Sequence, residues 1–306
     1  MSVPPKPAPA GATEIGTASP AAVGARGDEA RLALKERLAL LRRSKSFIAG
    51  SIIVGFWVLC AIFGELVVPE DPLATDPIND LMTPSADHWF GTDRLGRDVF
   101  SRVITGARDI LIVALLATIL ATVVGTALGL VTGYFRGAVD DVLSRIIEAF
   151  LALPVIIMGL LVTVSLGRSN TTLILTIGIL FAPIISRTVR AAVLTERELE
   201  YVSAARLRNE RTPYILFGEI LPNVTGPIVV EFTVRLGYAI FVAAGLSFLG
   251  FGIAPPAPDW GLQVAEHYGL ISGGFWWPVL FPSLAIATLV IGVNLIADGV
   301  ASAFER

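Results

Sequence analysis

The chain has 306 residues, of which 54% are hydrophobic and only 16% are charged, and its mean hydropathy is +0.72. This composition excludes a soluble globular protein and predicts an integral membrane protein. The formal net charge of -3 argues against binding to nucleic acid, which requires a basic face.

The N-terminal region divides into a tail and a basic segment. Residues 1–30 are rich in Ala, Pro, Gly and Ser without apolar periodicity, which predicts a disordered tail. Residues 31–68 combine a basic cytoplasmic segment with a first membrane span at 47–68. The basic side chains are Arg31, Lys35, Arg37, Arg42, Arg43 and Lys45. Because positive charge favours the cytoplasmic side, this cluster places the N-terminus inside the cell.

All lysines of the chain, Lys6, Lys35 and Lys45, fall in this first part. The P-loop of ATP-binding proteins requires a lysine on the phosphates. The membrane part of the chain is therefore predicted to have no P-loop, and the chain is expected to be a non-catalytic membrane protein. If ATP drives this protein, another chain binds it.

Residues 69–109 are polar and rich in acids, which predicts an external loop. Within the loop, Asp98 is placed to cap a helix. Four apolar residues that follow it predict an interfacial helix lying on the membrane: Val99, Phe100, Val103 and Ile104. Arg97 and Arg102 are expected to reach outward.

Residues 110–306 form a predicted core with five further spans, at 110–133, 148–166, 171–193, 224–251 and 278–297. In the first of these, Gly125, Gly129 and Gly133 predict the close approach of another helix. Pro154 is expected to kink the start of the second. In the third, Arg187 and Arg190 are expected to extend to the membrane surface.

The distribution of basic residues supports this arrangement. With both termini inside, 17 of the 23 Lys and Arg residues fall on inner segments and 5 on outer segments. The sequence therefore predicts an all-α membrane protein with six transmembrane helices and cytoplasmic N- and C-termini.

A charged, helix-compatible segment at 195–222 lies between the fourth and fifth spans. It begins with a short helix from Glu200, and Asn209 tolerates the left-handed conformation that ends such a helix. Thr212 and Pro213 are predicted as the N-cap and the first residue of a second helix. A membrane protein that keeps such a segment is expected to use it for binding a partner.

The spacing in this segment resembles the EAA loop of the membrane subunits of bacterial ABC importers. In that loop Glu-Ala-Ala is separated by three residues from a Gly, and a Leu-Pro pair closes the pattern. Four positions match: Ala204, Ala205, Leu221 and Pro222. Ser203 replaces the family's Glu, and Asn209 replaces its Gly. The resemblance implies a coupling helix that docks on a cytoplasmic ATPase. Separately, Glu200 lies three residues before Ser203 on the same helical face, and we hypothesise that it supplies the missing charge.

A second motif, HWFGTDRLGRD at 88–98, closely resembles one found in the C-type permeases of dipeptide, oligopeptide and nickel importers. Its principal residues are Gly91, Thr92, Asp93, Gly96, Arg97 and Asp98. The string PPAPDWG at 255–261 resembles the same branch. The resemblance implies the type I ABC importer permease fold, with residues 88–98 on the external side, where a substrate-binding protein docks.

The resemblance also implies a function and partners. It implies a permease subunit for di- or oligopeptides in a bacterial cell membrane, paired with a homologous second permease, two ATP-binding subunits and an external substrate-binding protein. ATP and Mg would be bound by the ATPase subunits, with no cofactor in this chain. Nickel import by the same class, ion-coupled secondary transport and a structural membrane role remain open alternatives.

Glu231 and Arg235 lie one helical turn apart inside the span 224–251. Because charge at membrane depth is costly, the pair is expected to face the protein interior or a water-filled path. It either lines or gates the translocation route, or locks the span to a neighbour. His88 and His267, the only histidines, fall in predicted external loops, and no metal site is predicted from them.

Overall fold

The computed structural model describes residues 39–135 and 137–304. The predicted disordered tail and most of the basic segment after it lie outside the described residues. In chain order, the helices are α1 (Lys45–Val67), α2 (Val99–Tyr134), α3 (Ala138–Leu151), α4 (Val155–Leu166), α5 (Asn170–Glu196), α6 (Glu200–Leu207), α7 (residues 212–223), α8 (Thr225–Phe248), α9 (Trp260–His267) and α10 (Trp277–Phe304).

Five helices in the described part, α1, α2, α5, α8 and α10, are long and apolar enough to cross a membrane. The remaining predicted span is divided between α3 and α4, which meet at an angle of 89°. Pro154 directly precedes α4 and ends the helix before it, so the predicted kink is a full break. The chain has six spans if this bent pair crosses the membrane as one unit.

The predicted separate interfacial helix is wrong, because α2 runs without a break for 36 residues. Its first turns are covered by protein: Val99 is 1% exposed and Val103 is 2% exposed. Arg97 and Arg102, expected to reach outward, are buried as well. The reason is α9, which packs over this end of α2 and places the indole nitrogen of Trp260 2.8 Å from the carbonyl oxygen of Val103.

The predicted close packing at the α2 glycines is confirmed, and the neighbour is α5. A methyl group added at Gly129 would lie 2.6 Å from Cβ of Val189, and one added at Gly133 would lie 2.7 Å from Cβ of Val193. Since a packed backbone cannot give way by that amount, glycine is required for this contact. The α2–α5 pair is the centre of the fold.

Two further expectations differ from the structure. Arg190 does not extend to the membrane surface but forms a bidentate ion pair with Asp140 of α3, at 2.9 and 2.7 Å. This pair holds α3 against α5. At the other end of the chain α10 continues to Phe304, so residues 298–304, which were expected to form part of a tail, belong to the last helix.

The helix ends define two faces of the molecule. The first, here called the coupling face, contains α6 and α7, the start of α1 and the end of α10, where Gly299 packs against Phe47. The end of α2 lies there too, because Arg197 binds the carbonyl oxygen of Gly133. The opposite face contains the loop before α2, α9 and the start of α10, where the Trp277 indole donates to the Thr92 carbonyl oxygen. Both ends of the described chain therefore lie near the coupling face.

Candidate coupling site

The predicted helix from Glu200 exists as α6, and its two sides differ. Val202 and Ala205 are 0% exposed and belong to the main apolar core. Their spacing of three residues puts them on one side of the helix. Ala205 was expected among the residues that contact an ATPase, but it packs in the core on the inner side of α6. The predicted contacts Glu200, Ser203 and Ala204 are exposed on the other side.

The turn after α6 follows the sequence prediction. Asn209 has a φ of 56°, in the left-handed region. The Asn209 amide donates to the carbonyl oxygen of Arg206 at 2.9 Å, and the Glu210 amide donates to the carbonyl oxygen of Ala205 at 3.2 Å. These two hydrogen bonds form the Schellman motif that ends helices. Asn209 therefore takes over the structural role expected of the family's glycine.

The second helix, α7, starts at Thr212, with Pro213 in its first turn. The predicted Thr212 cap is wrong by one position, since Arg211 precedes the helix and no side chain caps it. Residues 215–220 form a π-helical turn, which places Ile215 and Ile220 in the core. Of the predicted closing pair, Leu221 is half-buried and Pro222 is exposed.

Several polar contacts fix this region to the membrane helices. Arg197, 4% exposed, donates to the carbonyl oxygens of Gly133 at 2.7 Å and Tyr134 at 3.2 Å. Tyr201 donates its hydroxyl to the Glu196 carboxylate at 2.7 Å. Burial, reinforced by that carboxylate, raises the pKa of Tyr201 to about 12, so the phenol stays protonated and keeps donating. The Arg206 guanidinium lies over the Tyr134 ring, 5.0 Å from its centre.

Sequence reasoning missed three apolar side chains of α6 and α7 that face outward. Leu207 is 85% exposed, Tyr214 is 52% exposed and Phe217 is 58% exposed. Their signal in the sequence was bulky apolar residues inside an otherwise charged segment. Together with the exposed predicted residues they form the coupling surface, defined as Glu200, Ser203, Ala204, Leu207, Tyr214 and Phe217. A surface that mixes apolar and polar groups in this way is typical of a protein interface.

Glu231 and Arg235 form the expected pair one turn apart on α8. Arg235 Nε lies 2.6 Å from Glu231 Oε1, and the Thr188 hydroxyl of α5 donates to the same carboxylate at 3.4 Å. The Arg235 guanidinium also lies 5.2 Å from the centre of the Tyr238 ring. Both charged side chains are partly buried, at 13% and 19% exposure. The pair therefore joins α8 to α5, and its role in translocation stays a prediction.

On the opposite face the second motif forms a buried charge cluster. Asp93 accepts from Arg97 Nε at 2.6 Å, and Arg97 reaches across to Glu266 of α9 at 2.8 Å. Arg102, 0% exposed, lies 3.8 Å from Asp93 and 3.7 Å from Glu266. His267, the last residue of α9, lies 3.8 Å from the same Asp93 oxygen. These contacts bind the loop before α2 to α9.

The other motif residues also have structural roles. Gly91 and Gly96 have φ values of 73° and 71°, which side chains rarely adopt. Asp98 caps α2, as predicted, by accepting the Ser101 amide at 2.7 Å. The Thr92 hydroxyl donates to the Asn79 carbonyl oxygen at 2.6 Å. Of the residues between the two glycines, only Arg94 and Leu95 are exposed.

No metal-binding arrangement of three or more His, Cys, Asp or Glu side chains occurs in the ranges that the structure covers. His88 instead lies 3.3 Å from Asp98. Burial lowers the pKa of His267 below its usual value.

Two family models match the chain. One, described as the inner membrane component of binding-protein-dependent transport systems, matches residues 125–306. The chain belongs to this permease family. A second, described as the N-terminal transmembrane domain of oligopeptide transport permease C, matches residues 34–84 of this permease. The family is a transport component, in accord with the prediction from the two motifs.

Curated relatives extend over most of the permease. It is 39% identical over 271 residues to the dipeptide transport system permease protein DppC of Alkalihalophilus pseudofirmus, covering 89% of each chain. It is 35% identical over 265 residues to the DppC of Bacillus subtilis, covering 87% of this chain and 83% of that one. It is 34% identical over 280 residues to the di/tripeptide permease DppC of Pseudomonas aeruginosa, covering 89% and 91%.

A solved structure of similar fold is the inward-facing methionine ABC transporter MetNI. It matches with a TM-score of 0.55 and 20% identity, over 67% of this permease and 97% of that chain. The predicted all-α importer permease fold is thereby confirmed.

Proposed function

We propose that this permease is the transmembrane subunit of an ATP-driven importer for di- or oligopeptides in a bacterial plasma membrane. The names of its relatives support the substrate class. The observation that carries the coupling role is the coupling surface, where Leu207 is 85% exposed on a helix whose Val202 and Ala205 side chains are buried in the core. Burial of such an exposed apolar side chain against a partner contributes favourable binding free energy.

In this proposal the coupling face lies in the cytoplasm. The permease pairs with a homologous second permease and with two ATP-binding subunits, which hold ATP and Mg, and an external binding protein delivers the peptide to the opposite face. When the ATPases close, they displace α6. Since Arg197 links this region to the end of α2, and since α2 packs tightly on α5, the displacement passes to the membrane helices and alternates access to the path.

The test is a substitution on the coupling surface that leaves the core unchanged. Leu207→Asp places a charge where the ATPase would bury an apolar side chain, and Leu207→Met is the matched control that preserves apolar area. Both variants are expected to insert normally. ATPase subunits are expected to co-purify with the wild type and the Met variant only, and dipeptide uptake by membrane vesicles should fall at least about tenfold in the Asp variant. Normal uptake by Leu207→Asp would contradict the coupling role.

The same vesicles separate the alternatives. Loss of uptake on adding an uncoupler, with ATP intact, would assign the protein to ion-coupled carriers. Nickel uptake without dipeptide uptake would show that the substrate is nickel and would leave the proposed coupling mechanism unchanged. Dipeptide uptake that requires ATP and survives the uncoupler is the expected result.

A further inference from the structure

A groove between α8 and α10 is open at the surface of the protein. Its outer part has a volume of about 560 Å³, begins beside Val264 of α9 and is lined mainly by apolar side chains, among them Phe241 and Phe248. Its inner part, about 310 Å³, continues past Phe241 to Tyr238 and Asn294. Both volumes fall in the range of small-molecule sites, about 300–1,000 Å³.

The inner part of the groove holds polar groups at membrane depth. Asn294 lies about 15 Å along α10 from its end at Phe304 and about 25 Å from its start at Trp277. The side chains of Asn294 and Tyr238 are exposed, and within the described ranges the amide and the hydroxyl make no hydrogen bond to the protein. The Arg235 guanidinium lies next to them, 5.2 Å from the centre of the Tyr238 ring.

The exposed side of α1 shows how a lipid-facing surface of this protein differs from the groove. Its outward stripe is wholly apolar: Ile48, Ile52, Phe56, Leu59 and Phe63. An unpaired amide in hydrocarbon is costly, and polar side chains at that depth face the protein interior or a water-filled path. The position of Asn294 therefore indicates that the groove is turned away from lipid.

The occupant of the groove is either a transported peptide or a helix of the second permease. A membrane helix satisfies its backbone amides internally, so it offers Asn294 and Tyr238 no free backbone group. A short peptide in transit has no internal hydrogen bonds, and its amides match a side chain that both donates and accepts, as that of Asn294 does. The outer part of the groove also begins at α9, on the face to which the binding protein delivers the peptide in the proposed function.

We propose that the α8–α10 groove is a peptide-binding subsite of the permease itself. Its outer part takes an apolar side chain of the peptide, and its inner part binds the peptide's amide groups through Asn294 and Tyr238. A peptide with a large apolar side chain buries more area in the outer part than a glycine peptide does. The permease thereby adds a selectivity of its own to that of the binding protein. This inference rests on the proposed function.

The test is uptake of two radiolabelled dipeptides, Phe-Ala and Gly-Gly, by proteoliposomes containing the assembled transporter, with each peptide saturating the binding protein. Ala287→Leu fills the outer part, because Ala287 lines the groove and is exposed, so the larger side chain does not displace the core. Ala127→Leu makes the same change on an exposed position of α2 and is the matched control. Asn294→Leu removes the amide with little change in volume.

Ala287→Leu should lower the uptake of Phe-Ala about tenfold and that of Gly-Gly by less than about twofold, because only the large side chain competes for the filled space. Asn294→Leu should lower the uptake of both peptides about fivefold, because both carry the amide that it binds. Ala127→Leu should leave both within about twofold of the wild type.

Equal effects of Ala287→Leu on the two peptides, or no effect on either, would overturn the inference, as would unchanged uptake by Asn294→Leu. Loss of the second permease from the purified Ala287→Leu complex would also overturn it, because the groove would then be an interface between the two permeases. A wild type without ATP-dependent uptake of either peptide would instead overturn the proposed function, and the inference with it.

Discussion

Arg197 Nη1 donates a 2.7 Å hydrogen bond to the carbonyl oxygen of Gly133, and so connects the segment before α6 to the last turn of α2. A carbonyl at a helix C-terminus has no partner within its own helix, and a guanidinium both satisfies it and favours the negative end of the dipole. The coupling surface is therefore attached to the central helix pair by a charged hydrogen bond.

The first prediction concerns this attachment. Arg197→Ala leaves the carbonyl oxygens of Gly133 and Tyr134 without their donor, and should lower the free energy of unfolding by about 2 kcal/mol. ATP hydrolysis should also become insensitive to the transported peptide. Thermal unfolding in detergent and ATPase assays on the assembled transporter measure the two effects. Glu198→Gln neutralises the carboxylate that lies 3.1 Å from Arg197 Nε and keeps the Arg197 donor, so it is the control. An equal loss in both variants would contradict the assigned role.

The second prediction concerns the turn at Asn209. Asn209→Ala should cost about 1 kcal/mol of stability, because an alanine is strained at a φ of 56°. Asn209→Gly, which restores the family residue, should be neutral or stabilising. Unfolding midpoints of the two variants, compared at equal detergent concentration, provide the measurement. A more stable alanine variant would mean that the left-handed turn is not maintained.

A third prediction follows from the two neighbouring alanines of α6. Ala205→Leu overpacks the core and should destabilise the protein by about 1–3 kcal/mol, since Ala205 is 0% exposed. Ala204→Leu adds the same atoms on the exposed side and should change stability by less than about 0.5 kcal/mol. Any loss of transport in the second variant then reports on partner docking. Equal stability of both variants would show that α6 has been rotated about its axis.

The fourth prediction concerns Glu231 and Arg235. Glu231→Gln or Arg235→Gln alone leaves one charge unpaired in a partly buried position and should cost about 2 kcal/mol. The double variant should be less destabilised than the sum of the single variants. If the pair also gates the path, peptide uptake falls in assembled transporters carrying either substitution. Unchanged uptake with intact assembly would leave the pair with a structural role only.

The fifth prediction concerns Asp259, which is 3% exposed and caps α9 by accepting the Leu262 amide at 2.7 Å. Burial raises the pKa of Asp259 to about 6, above its ordinary value of about 3.9. The folded state therefore holds more protons than the unfolded state between these values. Asp259 should make stability fall as the pH rises from about 4 to about 6, with no further change above that.

Asp259→Asn keeps an acceptor for the cap but cannot titrate, so the difference in unfolding midpoint between the wild type and this variant isolates the contribution of Asp259. The comparison is necessary because burial lowers the pKa of His267. His267 therefore makes the free energy of unfolding rise as the pH rises, which opposes the effect of Asp259. A difference that stays constant from pH 4 to pH 7 would contradict the prediction.

The helices were predictable where one local signal decided them. Long apolar runs fixed α1, α5, α8 and α10 to within a few residues, apart from the end of α10, and the glycine spacing of α2 predicted its tight contact. Asn209 was predictable because the left-handed region admits few residue types.

The predictions that were wrong concerned contacts between segments that are far apart in the sequence. Nothing near Val99 indicates that α9, some 160 residues later in the chain, covers it, so an apolar helix start was assigned to the membrane. The burial of Ala205 depended on which side of α6 meets the core. The partner of Arg190 was Asp140, 50 residues away, and no local pattern specifies such a pair.

The buried charge cluster on the opposite face has a consequence for how this permease can change its partners. The motif residues Gly91, Thr92, Asp93, Gly96, Arg97 and Asp98 are buried, whereas Trp89, Arg94 and Leu95 are exposed. A binding protein approaching this face would contact those exposed side chains and their neighbours. Recognition could then be altered by exchanging those residues, while the enclosed framework that presents them kept its shape. Within this one short segment, the buried residues maintain the fold and the exposed residues between them are available for partner recognition.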